Sequence, residues 1–159
     1  MCDYSLMSLP NRLAVCGEDL VVHRFISGAM GLASPVEVCR AMQKREPAHG
    51  FFAKLRQFLY PPDDPPCTAV CITPGAHLLV RNIPEPIQRM AAIESSIQEV
   101  VFTQTDTVGF RDTFQFPNGT EILLQKMSEG MRVTVLALSS EEHHEMVQQG
   151  AFAGANFRE

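Results

Sequence analysis

The sequence predicts a mainly β (α+β) domain: a small antiparallel β-barrel or curled sheet with a two-helix insertion and a C-terminal helix. Three observations carry this. At least six short runs rich in Val, Ile, Leu, Phe and Thr are separated by Gly, Pro and Asn-Gly turn signals. Phe110, Phe114 and Phe116 alternate with Arg111, Thr113 and Gln115, the period-two pattern of a half-buried strand. Helical periodicity is confined to a few short windows. Closing or curling a sheet of many short strands removes exposed edges.

Taken in order, residues 12–34 read as extended chain, with a β-rich run at 20–26 bounded by Gly17 and Gly28. Ser34, Pro35 and Glu37 then form a capping signal, predicting a helix over 35–45 that Pro47 stops. A second helix is expected over 50–60, where Phe51, Phe52, Leu55, Phe58 and Leu59 share a face opposite Lys54, Arg56 and Gln57. Prolines 61, 62, 65 and 66 end it and mark 61–66 as a linker. A β-meander core follows over about 67–138, with strands at 67–73, 76–81, 98–105, 110–116, 120–127 and 132–138 and a short helix at 84–93. Asn118-Gly119 is the turn chemistry of a hairpin, which also explains the acceptor-like Asn118-Gly119-Thr120. Ser139 and Glu142 form a second capping box opening a helix over 140–149, and the rest of 139–159 is tail.

The chain has 159 residues, 45% of them hydrophobic, which suits one folded domain. Lys plus Arg number 13 against 18 Asp plus Glu, a formal charge of −5. With no dense basic run, general nucleic-acid binding is not expected. No stretch reaches the ~18 apolar residues of a membrane helix, and the start of the chain lacks the layout of a secretory signal. The helix at 50–59 is short for an interfacial membrane helix, so core or partner packing is its expected role. A cytoplasmic location is expected. Five cysteines (Cys2, Cys16, Cys39, Cys67, Cys71) are an odd, scattered set, which predicts reduced thiols rather than a disulfide framework.

The position with most chemistry is Cys2. Removal of Met1 would join a thiol to an α-amino group of pKa about 7.7–8.0, a nucleophile with its own base. The opening is similar to that of glutamine amidotransferases and of proteins that cross-link to abasic DNA, which begin Met-Cys-Gly; here Asp3 stands in place of the glycine. Cys67, Cys71 and His77 have spacing compatible with zinc, but residues four apart on a strand lie ~13 Å from each other, so buried thiols are expected and no metal site or cofactor is assigned. His143 and His144 lack the i, i+4 pairing of a helical metal site and read as solvated surface. His23 reads as a packed or edge residue, and Asp106 and Asp112 as turn or capping residues. Arg111, Lys126 and Arg132 read as the wet face of the sheet, with a small basic groove for a phosphate or peptide as the sharper alternative. The phosphate-loop, dinucleotide, HExxH and GxSxG motifs do not occur.

The opening Met-Cys-Asp-Tyr-Ser-Leu and residues 103–138, with Phe-Arg-Asp, Phe-Pro-Asn-Gly and Glu-Ile-Leu-Leu-Gln, resemble a group of small bacterial proteins. The resemblance implies a bacterial, cytoplasmic origin and brings no activity or site residue. Two functions are therefore expected from different classes. One is a non-enzymatic β-barrel module that self-associates or binds a protein or small molecule. The other is a hydrolase or covalent sensor that uses Cys2.

Overall fold

The computed structural model describes residues 9–44, 67–106, 108–139 and 141–144. It is mainly β. Nine strands form one curled half-barrel sheet: β1 (Asn11–Leu13), β2 (Asp19–Arg24), β3 (Met30–Ala33), β4 (Ala69–Cys71), β5 (His77–Arg81), β6 (Ile97–Gln104), β7 (Asp112–Gln115), β8 (Glu121–Leu123) and β9 (Arg132–Ala137). Two helices, α1 (Pro35–Lys44) and α2 (Glu85–Ala91), a 3-10 turn at Leu124–Lys126 and helical residues 141–144 complete the described elements. The spatial order is β1-β4-β3-β2-β9-β5-β6-β7-β8. Every pairing is antiparallel except β1 with β4.

That order corrects the expected meander. Strands β5 to β8 do run as consecutive antiparallel neighbours, with α2 between β5 and β6, but β9 returns to the centre of the sheet between β2 and β5. The cause lies in the turn before it: the Gly130 amide donates to the Val22 carbonyl at 2.8 Å and the Val22 amide to that of Met131 at 2.9 Å, which joins the chain to β2 as it enters β9. A central place suits a strand whose Val133, Val135 and Ala137 are fully buried. Strand β4 likewise leaves the expected 67–138 unit and pairs with β1 and β3. Among the described residues, β1 and β8 are the sheet's two edges, so the architecture is the curled sheet and not a closed barrel.

Strand alternation divides the side chains. On the concave face, Leu20, Val22, Leu32, Leu78, Val80, Val100, Phe102, Phe114, Phe116 and Val133 form the main core. Each such side chain contributes about 1.5–3 kcal/mol through burial. Phe102 and Phe114 meet edge to face with centroids 6.2 Å apart. Phe110, expected to share their face, is instead 40% exposed, because the strand begins only at Asp112. On the convex face a smaller cluster of Phe25, Ala29, Ala33, Val38 and Ala69 lies where α1 covers β2 to β4. Over β9, β5 and β6 the same face carries half-buried polar groups.

α1 begins and ends within one residue of its expected limits. The expected helix at 50–60, the linker at 61–66 and the tail lie outside the described residues. α2 closes one end of the core through buried Ile87 and Ala91. Its C-terminus is held by a left-handed Ala92 (φ 52°), by the Ile93 amide on the Gln88 carbonyl at 3.0 Å, and by Asn118 Nδ2 on the Ala91 carbonyl at 2.7 Å. Asn118 belongs to the turn whose next residue, Gly119, has φ +83°, the conformation expected of Asn-Gly.

Cys16, Cys39 and Cys67 are free thiols. Cys71 is disulfide-bonded, which corrects the expectation of reduced cysteines throughout. Among the described residues, no helix is long and apolar enough to cross a membrane.

Candidate metal centre

The sheet register builds one chemical cluster on the convex face. Alternation sends Leu78 and Val80 into the core, which leaves His77, Leu79 and Arg81 on the other side of β5. Glu99 sits opposite Leu79 on β6, and Val101 opposite His77. Glu99 is therefore one diagonal step from His77, within reach of a long side chain. Its Oε1 lies 2.9 Å from His77 Nδ1.

The third member arrives from the end of β9. Ala137 lies opposite His77, where a register shift separates it from the pairing of Leu78 with Val135. Thr73 Oγ1 then holds the Leu138 carbonyl at 2.8 Å. The expected capping box forms here in a shifted version: the Glu142 amide donates to Ser139 Oγ at 3.2 Å, while Glu142 Oε2 accepts from the Leu138 amide at 2.8 Å. The His143 amide donates to the Ser139 carbonyl at 3.1 Å, so residues 141–144 start as helix beside β5. His143 stacks on His77 with centroids 3.7 Å apart and planes 7° from parallel, and its Nε2 lies 3.1 Å from the same Glu99 Oε1.

One ligand atom from each of His77, Glu99 and His143 thus lies within 4.8 Å of the others. Two imidazoles and a carboxylate are donors suited to zinc and other first-row divalent ions. Metal–ligand bonds of ~2.1 Å at a tetrahedral angle place donors about 3.4 Å apart. The nitrogen–oxygen spacings of 2.9 and 3.1 Å need to open by only a few tenths of an ångström. The rings must also splay from parallel, and each must carry its proton on the nitrogen that does not coordinate. The side chains of His77 and His143 are 16% and 21% exposed and that of Glu99 42%, a half-covered position that a solvated ion can enter.

The other residues singled out by sequence are placed apart. Cys2 lies outside the described residues. Cys71 is disulfide-bonded, and Cys67 Sγ sits 4.0 Å from Glu37 Oε2, so neither is in the cluster around His77. Burial, and then the charge of Glu37, raise the Cys67 pKa. His23 packs edge-on to Phe25, with Nδ1 buried and 3.0 Å from Glu129 Oε1 but not aligned for a hydrogen bond. Asp112 is a buried strand residue that accepts from Gln104 Nε2 at 2.8 Å, whereas Asp106 is exposed beside Arg111. Arg111 precedes β7, Lys126 ends the 3-10 turn after β8 and Arg132 opens β9, so the three are dispersed. His144 is exposed.

Neither a protein-family model nor a curated protein or solved structure matches this chain. Sequence reasoning named His77 and His143 separately, each in a different and rejected grouping, and passed over Glu99. The signal was faint: both strand residues occupy polar positions of their alternation, but only the register and the turn after β9 bring the three together.

Proposed function

We propose that this chain is a non-enzymatic binding module whose ligand site is built around a divalent transition-metal ion. One observation carries the reading: His77, Glu99 and His143, from two strands and a helical turn, direct three metal-competent donors at one point. Three protein donors leave at least one coordination position for water or for a donor of the bound partner. The open, half-exposed setting supports binding over chemistry that depends on excluding water. The expectations of a bacterial cytoplasm and of self-association or a protein or small-molecule partner belong to this proposal as well. In a cytoplasm the Cys71 disulfide would have to persist against a reducing thiol pool.

The test is equilibrium dialysis of the purified full chain against zinc, with bound metal measured by atomic emission. One zinc per chain is expected, with affinity lowered at least ~10-fold in each of His77→Ala, Glu99→Ala and His143→Ala. His144→Ala, outside the cluster, should bind as the parent does. Equal retention of zinc by all four variants would remove the reading.

A further inference from the structure

We infer that the metal centre is also a clasp: an ion at His77, Glu99 and His143 fastens the helical turn at residues 141–144 to β5 and β6, so that metal occupancy sets how firmly this turn is docked. The inference rests on the proposed metal reading and deepens it. Two ligands belong to paired strands in the sheet, where Leu78, Val80 and Val100 beside them are fully buried. The third belongs to an element held differently. The chain is anchored up to Leu138 by the Thr73 hydroxyl, and beyond it the turn is organised by its own cap, Ser139 with Glu142. Among the described residues from there, the His143 ring meets the sheet, stacked on His77 and directed at Glu99.

A polar contact with a 42% exposed carboxylate competes with water and contributes little. Coordination to a shared ion replaces that contact with a His143–metal bond that cannot form unless the turn is in place, the ion itself being held on the sheet by His77 and Glu99. A group that binds only the docked arrangement shifts the population toward it by its differential affinity. The amide that reports docking is that of His143, which donates to the Ser139 carbonyl while the turn is formed.

Hydrogen exchange on the full chain, with and without saturating zinc, tests the clasp. Exchange at the His143 amide should slow by at least ~10-fold with zinc, while that at Val80 and Val100 in the sheet changes less. Glu99→Ala should abolish the zinc effect and His144→Ala preserve it. Zinc bound one to one in dialysis with His143 exchange unchanged overturns the clasp and leaves the metal reading standing. Failure to bind zinc in that dialysis overturns both.

Discussion

The imidazoles of His77 and His143 lie face to face, 3.7 Å between centroids, and direct Nδ1 of one and Nε2 of the other at a single oxygen of Glu99. Parallel rings converging on one acceptor form an arrangement that an ion can take over by splaying the rings and turning the carboxylate. The same geometry links the far end of the chain's last described segment to the middle of the sheet.

A stability consequence follows. A ligand that binds the folded state alone stabilises it by about 2.7 kcal/mol at a free concentration 100 times its dissociation constant. For a chain of this size each kcal/mol raises the melting temperature by about 2–4 °C. Zinc at that excess should therefore raise Tm by roughly 5–10 °C in the parent chain, and by less than about 2 °C in His77→Ala or Glu99→Ala. Differential scanning fluorimetry with and without zinc, with a chelator to reverse the effect, reads this directly.

The end of α2 provides a packing test. Asn118 donates to the carbonyls of Ala91 and Ala92, coupling the β7–β8 turn to the helix C-terminus. Asn118→Ala removes those donors and should cost about 1 kcal/mol in urea denaturation. Ala92 holds φ 52°, a conformation that costs a side-chain-bearing residue roughly 1 kcal/mol and glycine far less. Ala92→Gly should thus raise the urea midpoint with the slope unchanged. A lower midpoint would show that the backbone freedom gained by the unfolded chain outweighs the relief.

The contrast between these two regions shows what was legible in the sequence. Asn118-Gly119 and the Ser139 to Glu142 cap are local signals, read within four residues, and both form. Strand β5 also lies within the run expected at 76–81, after the Pro74-Gly75 turn. The order of strands was not, because β9 is placed by contacts of Val22 with Gly130 and Met131 far along the chain. A sheet register is a long-range relation, so Glu99 could not be paired with His77 from periodicity alone. His143 was harder still: its neighbour His144 has the same residue type, and only the phase of the helical turn distinguishes the ring that faces the sheet from the one exposed to water.

The edge strand β1 carries a pH test. Arg12 and Glu18 form a two-pronged ion pair, with Arg12 Nη1 on Glu18 Oε2 at 3.0 Å, and the Val15 amide adds a third bond at 3.1 Å. The hydrogen bond from Arg12 is the main cause that holds the Glu18 carboxyl below its ordinary range, against the opposing effect of partial burial. A depressed folded-state pKa stabilises above the unfolded value of about 4.3 and is lost as pH falls through the folded one. With both side chains partly exposed, about 0.5–1 kcal/mol is expected. Glu18→Gln should therefore melt below the parent from about pH 7 to pH 5, and the gap should close below about pH 4. A gap independent of pH across that range would assign the loss to shape rather than charge.

Thiol chemistry gives the last test, because the described cysteines occupy distinct environments. Cys71 is buried and disulfide-bonded, so iodoacetamide should leave it unmodified until a reductant is added to unfolded protein. Cys16 and Cys39 are exposed and free, while Cys67 is half-buried. Alkylation proceeds through the thiolate. Burial and the Glu37 carboxylate 4.0 Å from its sulfur raise the Cys67 pKa, so the reactive form is scarcer there at pH 8 and grows only in more alkaline solution. Peptide mapping after timed alkylation of folded protein should find Cys67 slower than Cys39 by several-fold at pH 8. In Glu37→Gln the charge is gone but the burial remains, so the lag should shrink without vanishing. A Cys67 that reacts as fast as Cys39 would mean that this end of β4 opens to solvent more readily than its packing beside α1 implies.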